Sequence, residues 1–152
     1  MPGNIAVGAL APDFSLQDAD STLVVLSDLR GAPVVLIFYP KDETPGCTAQ
    51  LCAARDDQPL YAEAGATVLA INSGSAKSHR SFRDKHKLSA RLLVDTDLKV
   101  ARDYDSVIGF GPLSIVRRTV FVINSGGYIQ FMKRGTPSTD SIVEAIKSPV
   151  KR

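Results

Sequence analysis

The chain has 152 residues, 44% of them hydrophobic and 22% charged, and a formal net charge of +2 at pH 7. This length can bury a core, and we expect one domain over residues 1–152. A small charge carried by scattered basic residues does not indicate nucleic-acid binding, and we interpret the basic end at 147–152 as a solvated tail. No segment is apolar for long enough to span a bilayer and the N-terminus lacks a secretory pattern, so we expect a cytoplasmic protein.

The first half of the chain alternates strand-like and helix-like segments, which is typical of an α/β fold. Short strands are predicted at 14–16 and 23–26, a strand buried on both faces at 33–39, and another strand at 66–72. A helix is predicted to open at Thr44. Because proline disrupts a helix interior, we expect a break or kink just before Pro59 and a short continuation that ends at Gly65.

The second half continues the alternation and ends in a hairpin and a helix. An amphipathic helix is predicted at 75–87, a strand at 91–94, and a helix capped by Asp95 or Thr96 that runs to about residue 103. Strands at 119–123 and 128–132 flank a glycine-containing turn at 124–127, which predicts a hairpin. A last helix follows to about residue 147. This order resembles a thioredoxin-like fold with a central mixed sheet flanked by helices, an N-terminal extension and a mid-chain insertion.

The two cysteines of the chain, Cys47 and Cys52, lie in the helix predicted after the buried strand. Thr44 suits the N-cap and Pro45 suits the first helical position, so Cys47 falls in the first turn. The unpaired N–H groups and the positive end of the helix dipole there favour thiolate over thiol. A cysteine poised to ionise, with a second cysteine nearby, indicates redox chemistry.

Helix geometry constrains this pair. Five residues rotate a helix by roughly 140° and advance it by about 7.5 Å, which places the two Cα atoms roughly 8–9 Å apart. A disulfide needs less than about 7 Å, so Cys47 and Cys52 can bond only if the first turns unwind.

The segment around the first cysteine resembles a known family. Pro40-x-x-x-Thr44-x-x-Cys47 matches the peroxidatic motif of the peroxiredoxins, and residues 38–48 are similar to the Q-type subfamily, also called bacterioferritin comigratory proteins. Cys52, followed by Arg55-Asp56, fits an atypical two-cysteine member of that subfamily. The likeness covers nearly the whole chain, through residues 11–14, 26–31, Phe82, 92–95 and 118–123.

The resemblance implies a thiol-dependent peroxidase that reduces hydrogen peroxide and organic hydroperoxides without a metal or organic cofactor. Cys47 would attack the peroxide and become a sulfenic acid, and Cys52 would resolve it as an intramolecular disulfide. Thr44 would hold the sulfur and a peroxide oxygen, and Pro40 would shield the pocket. An arginine would stabilise thiolate and peroxide; the alignment puts this role on Arg118, with Arg117 as the alternative because adjacent strand residues face opposite sides.

The resemblance also implies partners. Thioredoxin or glutaredoxin would reopen the disulfide, and an intramolecular resolving cysteine is compatible with a monomer. Gln50 departs from the family pattern, since a glutamate is common at that position. Both histidines, His79 and His86, lie in a polar, basic predicted helix, and we interpret them as solvated.

The sequence also raises two alternative functions. One is a thioredoxin-like metal-binding module that uses the two thiolates, but no third ligand lies nearby in the sequence. The other is a binding or holdase protein whose cysteines are incidental.

Overall fold

A computed structural model describes residues 5–148; the outer parts of the predicted domain and of the basic tail, at 1–4 and 149–152, lie outside the described residues. The strands are β1 Ser15–Asp18, β2 Leu23–Val25, β3 Val34–Phe38, β4 Thr67–Asn72, β5 Arg91–Val94, β6 Val107–Ile108, β7 Ile115–Val116, β8 Thr119–Ile123 and β9 Ile129–Arg134. The helices are α1 Pro45–Asp56, α2 Gln58–Glu63, α3 Ala76–His86, α4 Lys99–Asp103 and α5 Thr139–Lys147, and two 3-10 turns occupy Leu26–Leu29 and Gly111–Leu113.

Seven strands form one mixed sheet in the order β2-β1-β5-β4-β3-β8-β9. The central strand β3 pairs in parallel with β4 and antiparallel with β8. All five residues of β3 are buried, because both of its faces are covered; this explains its continuous apolar sequence. The predicted α/β fold with a central mixed sheet and flanking helices is confirmed.

Side chains that alternate along β3 separate two hydrophobic layers. Val34, Leu36 and Phe38 belong to one layer, in which the Phe38 ring meets Tyr104 and Phe121 at centroid distances of 5.4 and 5.8 Å. Val35 and Ile37 belong to the other layer, together with the residues that extend into the cysteine segment: Tyr39, Cys47 and Leu51. The part of the chain that carries Cys47 is therefore packed into this second hydrophobic layer.

Two local predictions concern helix ends. The break before Pro59 is confirmed, since α1 ends at Asp56 and α2 begins at Gln58. Neither Asp95 nor Thr96 is the N-cap of α4; Leu98 occupies that position, and the Asp95 carboxylate accepts hydrogen bonds from the N–H groups of Val100 and Ala101 instead.

The small sheet of β6 and β7 was not predicted, because strands of two residues carry too short a pattern to recognise. Within residues 5–148, no helix is long and apolar enough to cross a membrane.

Asp18 links the β1–β2 turn to β5 and makes stability depend on pH. Its carboxylate accepts hydrogen bonds from the N–H groups of Asp20 and Thr22 and from Nε of Arg91, at 2.8 to 2.9 Å. Burial raises the pKa of Asp18, but these hydrogen bonds outweigh it and hold the pKa below its usual value of 3.8. The ionised carboxylate therefore stabilises the fold above pH 3.8, and this contribution is lost as pH falls through the lower, folded-state value.

We predict that Asp18→Asn lowers the free energy of unfolding at pH 7 by about 1–3 kcal/mol, the range for disrupting buried hydrogen bonds. The difference from wild type should shrink as pH falls below 3.8. Urea unfolding at a series of pH values measures both effects. Asp20→Asn is the matched control, because the Asp20 carboxylate is exposed and pairs with Arg83 at the surface; a pH-independent difference for Asp18→Asn would contradict the account.

Candidate active site

The loop between β3 and α1 delivers Cys47 to the first turn of a helix, as predicted. Thr44 is the N-cap by backbone position, and Pro45 begins the helix. The side chain of Thr44 does not cap it; the Thr44 hydroxyl donates to the carbonyl of Lys41 at 3.0 Å. Cys47, the third helical residue, is 1% exposed although Gly46 beside it is exposed. Its sulfur therefore lies just beneath the surface, near the positive end of α1.

Arg118 reaches the sulfur of Cys47. Its Nη2 lies 3.1 Å from Sγ, and its Nη1 donates to Oε1 of Gln50 at 2.6 Å. Gln50 follows Cys47 by three residues and is buried on the same side of α1. The planar guanidinium thus donates to two side chains of one helix. These two contacts fix its orientation and keep its positive charge beside the sulfur.

Strand register brings Arg118 to this place. Phe38 is paired with Thr119, so the residue before Thr119 lies beside the end of β3 that leads to the cysteine loop. Arg118 is half-buried and contacts the sulfur, whereas Arg117 is exposed.

Gly46 lies next to the arginine. A Cβ atom at this position would lie 3.4 Å from Nη2 of Arg118, which is van der Waals contact, so the guanidinium packs directly against the first turn of α1.

Cys52 lies on the same continuous helix, partly exposed, and both cysteines are free thiols. The helix is intact from Pro45 to Asp56, so the separation of roughly 8–9 Å estimated from helix geometry applies. The two sulfurs cannot bond in this conformation.

Pro40 and Thr44 flank the site on the chain before Cys47, and both are half-buried. The shielding expected from Pro40 and the contact expected between the Thr44 hydroxyl and the sulfur remain predictions.

A buried polar network lies behind the loop, and sequence reasoning missed it. Asp42 accepts hydrogen bonds from the Tyr39 hydroxyl at 2.6 Å, the Asn72 amide at 3.2 Å and the Ser78 hydroxyl at 2.7 Å. Its fourth partner is Nδ1 of His79 at 2.6 Å. The interpretation of His79 as solvated was wrong: the residue is completely buried.

The signal for this burial was present in the predicted helix. His79 precedes Phe82 by three residues, the spacing of neighbours on one helix face, and Phe82 is buried as well. His86 is partly exposed and lies 3.4 Å from Glu43.

Tyr39 lies close enough to both Asp42 and Cys47 for their charges to affect it. Burial raises the pKa of Tyr39 well above its usual value, and the charge of Asp42, its hydrogen bond and the charge of Cys47 act in the same direction. Tyr39 therefore stays a neutral hydrogen-bond donor between the carboxylate and the sulfur.

With this geometry established, comparison with known proteins identifies the family. The profile of the AhpC/TSA family matches residues 7–132, and the chain belongs to this family. The chain is 41% identical over 131 residues to "Peroxiredoxin Q, chloroplastic" of Oryza sativa subsp. japonica; the match covers 86% of this chain and spans 59% of the rice protein's length. It is 35% identical over 148 residues to "Peroxiredoxin Bcp" of Bacillus subtilis, covering 95% of this chain and 94% of that one.

A solved structure agrees with these relatives. The bacterioferritin comigratory protein of Xanthomonas campestris, described in a study of its alkyl peroxide reduction activity, superposes with a TM-score of 0.84 at 25% identity, covering 93% of this chain and 98% of that one. The predicted resemblance to Q-type peroxiredoxins is confirmed.

Gln50 is uncharged, so the positive charge of Arg118 beside the Cys47 sulfur is not neutralised from this side. This role of Gln50 can be tested directly. In Gln50→Glu, a carboxylate would take the place of the amide that Arg118 contacts, which neutralises the guanidinium and disfavours the thiolate. We predict that peroxide then oxidises Cys47 about tenfold more slowly, because less positive charge faces the sulfur and the leaving oxygen. Competition with a second peroxidase for limiting peroxide, in a Cys52→Ser background, measures this.

Gln50→Met is the matched control, since it removes the hydrogen bond without adding a charge. A rate of Cys47 oxidation that is the same in Gln50→Glu and wild type would contradict the electrostatic role assigned to this position.

Proposed function

We propose that this protein is a thiol-dependent peroxidase that reduces hydrogen peroxide and organic hydroperoxides. One observation carries the proposal: the sulfur of Cys47 lies in the first turn of α1 and receives a charged hydrogen bond from Arg118 at 3.1 Å. A thiolate held in this way is a nucleophile whose neighbouring donors also suit a peroxide oxygen. The family membership and the Q-type relatives support the same chemistry.

In the first step, the Cys47 thiolate attacks one peroxide oxygen. A sulfur–oxygen bond forms and the O–O bond breaks, so the sulfur is oxidised by two electrons to a sulfenic acid. The other oxygen leaves as water or an alcohol after it takes up a proton. Arg118 would stabilise both the thiolate and the charge that develops on the leaving oxygen.

Pro40 and Thr44 would complete the pocket. The Thr44 hydroxyl lies at the entrance to α1 and donates to Lys41 in the resting protein. We propose that it turns to a peroxide oxygen or to the sulfur when substrate binds, while Pro40 keeps bulk water away from the sulfenic acid.

In the second step, the Cys52 thiol would attack the sulfenic sulfur. A disulfide forms and water leaves, so both cysteines end oxidised by one electron each. Because the intact helix keeps the sulfurs apart, the first turns of α1 must unwind between the two steps. A dithiol of the thioredoxin or glutaredoxin type would then reduce the disulfide, and α1 would re-form.

The partners follow from this cycle. Both cysteines belong to one helix, so no second subunit is required, and we propose a monomer. A reducing compartment such as the cytoplasm would supply the dithiol. The X. campestris relative's alkyl peroxide activity supports organic hydroperoxides as substrates. The metal-binding and holdase alternatives have no specific observation in their favour; within residues 5–148, no three or more His, Cys, Asp or Glu side chains are placed to hold a metal.

The cycle is tested by replacing each cysteine. Peroxide consumption with a thioredoxin reducing system should vanish in Cys47→Ser. The Cys52→Ser protein should consume peroxide once and then stop, and mass spectrometry should find its Cys47 as sulfenic or more highly oxidised acid. Turnover that persists in Cys47→Ser, or is absent in wild type, would overturn the proposal.

The two adjacent arginines offer a second test. We predict that Arg118→Ala slows oxidation of Cys47 by about 100-fold or more, the cost of removing a donor from a charge-stabilising site. Arg117→Ala is the matched control and should stay close to wild type, because Arg117 is exposed and the contact with the sulfur comes from Arg118. Competition with a second peroxidase for limiting peroxide measures the rates; equal effects of the two substitutions would contradict the assignment.

A further inference from the structure

His79 is fully buried, and both of its ring nitrogens face hydrogen-bond acceptors. Nδ1 lies 2.6 Å from Oδ2 of Asp42, and Nε2 lies 2.9 Å from the carbonyl oxygen of Leu93. A carbonyl oxygen only accepts, so Nε2 must carry a hydrogen. The charge of the ring therefore depends on whether Nδ1 or Asp42 holds the second proton.

The surroundings of Asp42 decide this. Besides His79, the hydroxyls of Tyr39 and Ser78 and the amide of Asn72 donate to the same carboxyl group. Burial raises the pKa of Asp42, but the hydrogen bonds from His79, Ser78 and Tyr39 outweigh it, so the pKa is lowered. Both carboxyl oxygens of Asp42 already accept hydrogen bonds, Oδ1 from Tyr39 and Asn72 and Oδ2 from Ser78, so the hydrogen between Asp42 and His79 belongs on Nδ1.

The pair has a fitted place in the fold. Its partners come from the cysteine loop, from the end of β4, from α3 and from β5. A Cβ atom on Gly74 would lie 3.0 Å from both Oδ2 of Asp42 and Cε1 of His79, so a side chain there would push into the pair.

The pair also fixes the chain immediately before the reactive cysteine. Asp42 precedes the N-cap Thr44 by two residues and Cys47 by five. Tyr39, which donates to Asp42, lies in the same core layer as Cys47. Movement of Asp42 would therefore shift the entry of α1 relative to Arg118.

We propose that His79 is a positioning residue: as an imidazolium paired with Asp42, it anchors the loop at residues 39–44 and so holds Cys47 against Arg118. This inference rests on the proposed function. With the loop anchored, the conformation in which Cys47 attacks peroxide is favoured. When α1 unwinds for disulfide formation, the rearrangement does not extend beyond Asp42 into the preceding chain.

The charge state can be measured in the resting protein without peroxide. The chain has only two histidines, so isotope-labelled histidine gives two ring systems in an NMR spectrum, and His86→Gln assigns them. We expect His79 to show two protonated ring nitrogens at neutral pH, with hydrogens that exchange slowly with solvent. In Asp42→Asn, we expect a neutral ring protonated on one nitrogen. A neutral His79 in wild type, or an unchanged ring in Asp42→Asn, would overturn the proposal.

The positioning role is tested by measuring two rates separately: oxidation of Cys47 by peroxide and the disulfide formation that follows. Asp42→Asn keeps the shape and loses the charge, and we expect it to slow oxidation of Cys47 by about tenfold, since small displacements of a reacting group have effects of this order. Disulfide formation after oxidation should be as fast as in wild type or faster. His79→Gln should change both rates in the same directions.

Leu88→Ala is the matched control, because Leu88 is buried in the same core layer and a cavity there lowers stability without removing the charge pair. It should leave both rates near those of wild type. The proposal is wrong if Leu88→Ala also slows oxidation without slowing disulfide formation, or if Asp42→Asn slows both steps equally. Absence of turnover in wild type would instead overturn the proposed function and leave the NMR result standing.

Discussion

The hydrogen bond from Arg118 to Cys47 is the interaction on which the rest of the site depends. It joins a side chain that precedes β8 to one in the first turn of α1, so it needs both the β3–β8 register and the helix start to be correct. The guanidinium packs against Gly46, and Gln50 holds its other nitrogen. Because the sulfur is buried, these few groups determine its electrostatic environment with little screening by water.

The same helix that creates the reactive sulfur prevents it from meeting Cys52. In the proposed cycle, the fold is therefore intact when Cys47 attacks peroxide and locally undone when Cys52 forms the disulfide. Leu51 is completely buried in the core layer and holds the middle of α1, whereas Asp42 is held by four partners on the other side of Cys47. We infer that the segment between these two points is the part that rearranges, while the sheet and the second half of α1 stay in place.

Local signals in the sequence predicted most of the fold and the position of Cys47 in the first turn of α1, because strand β3, the helix start and the break before Pro59 each depend on neighbouring residues. Two features could not be predicted in that way. The choice between Arg117 and Arg118 required the register of β8 against β3. The pairing of Asp42 with His79 joins residues 37 positions apart; the spacing of His79 from Phe82 indicates a buried helix face, but no local signal identifies Asp42 as the partner. Both outcomes depend on tertiary packing rather than on local propensity.

Unwinding of α1 during the reaction of the two cysteines can be observed by backbone hydrogen exchange. Amide protection along residues 43–52 would be compared between the reduced protein and the protein oxidised with one equivalent of peroxide. We expect oxidation to form an intramolecular Cys47–Cys52 disulfide and to remove protection from the first turns of α1, while β3 and β8 keep theirs. A disulfide-bonded protein that retains full protection across α1 would contradict this expectation.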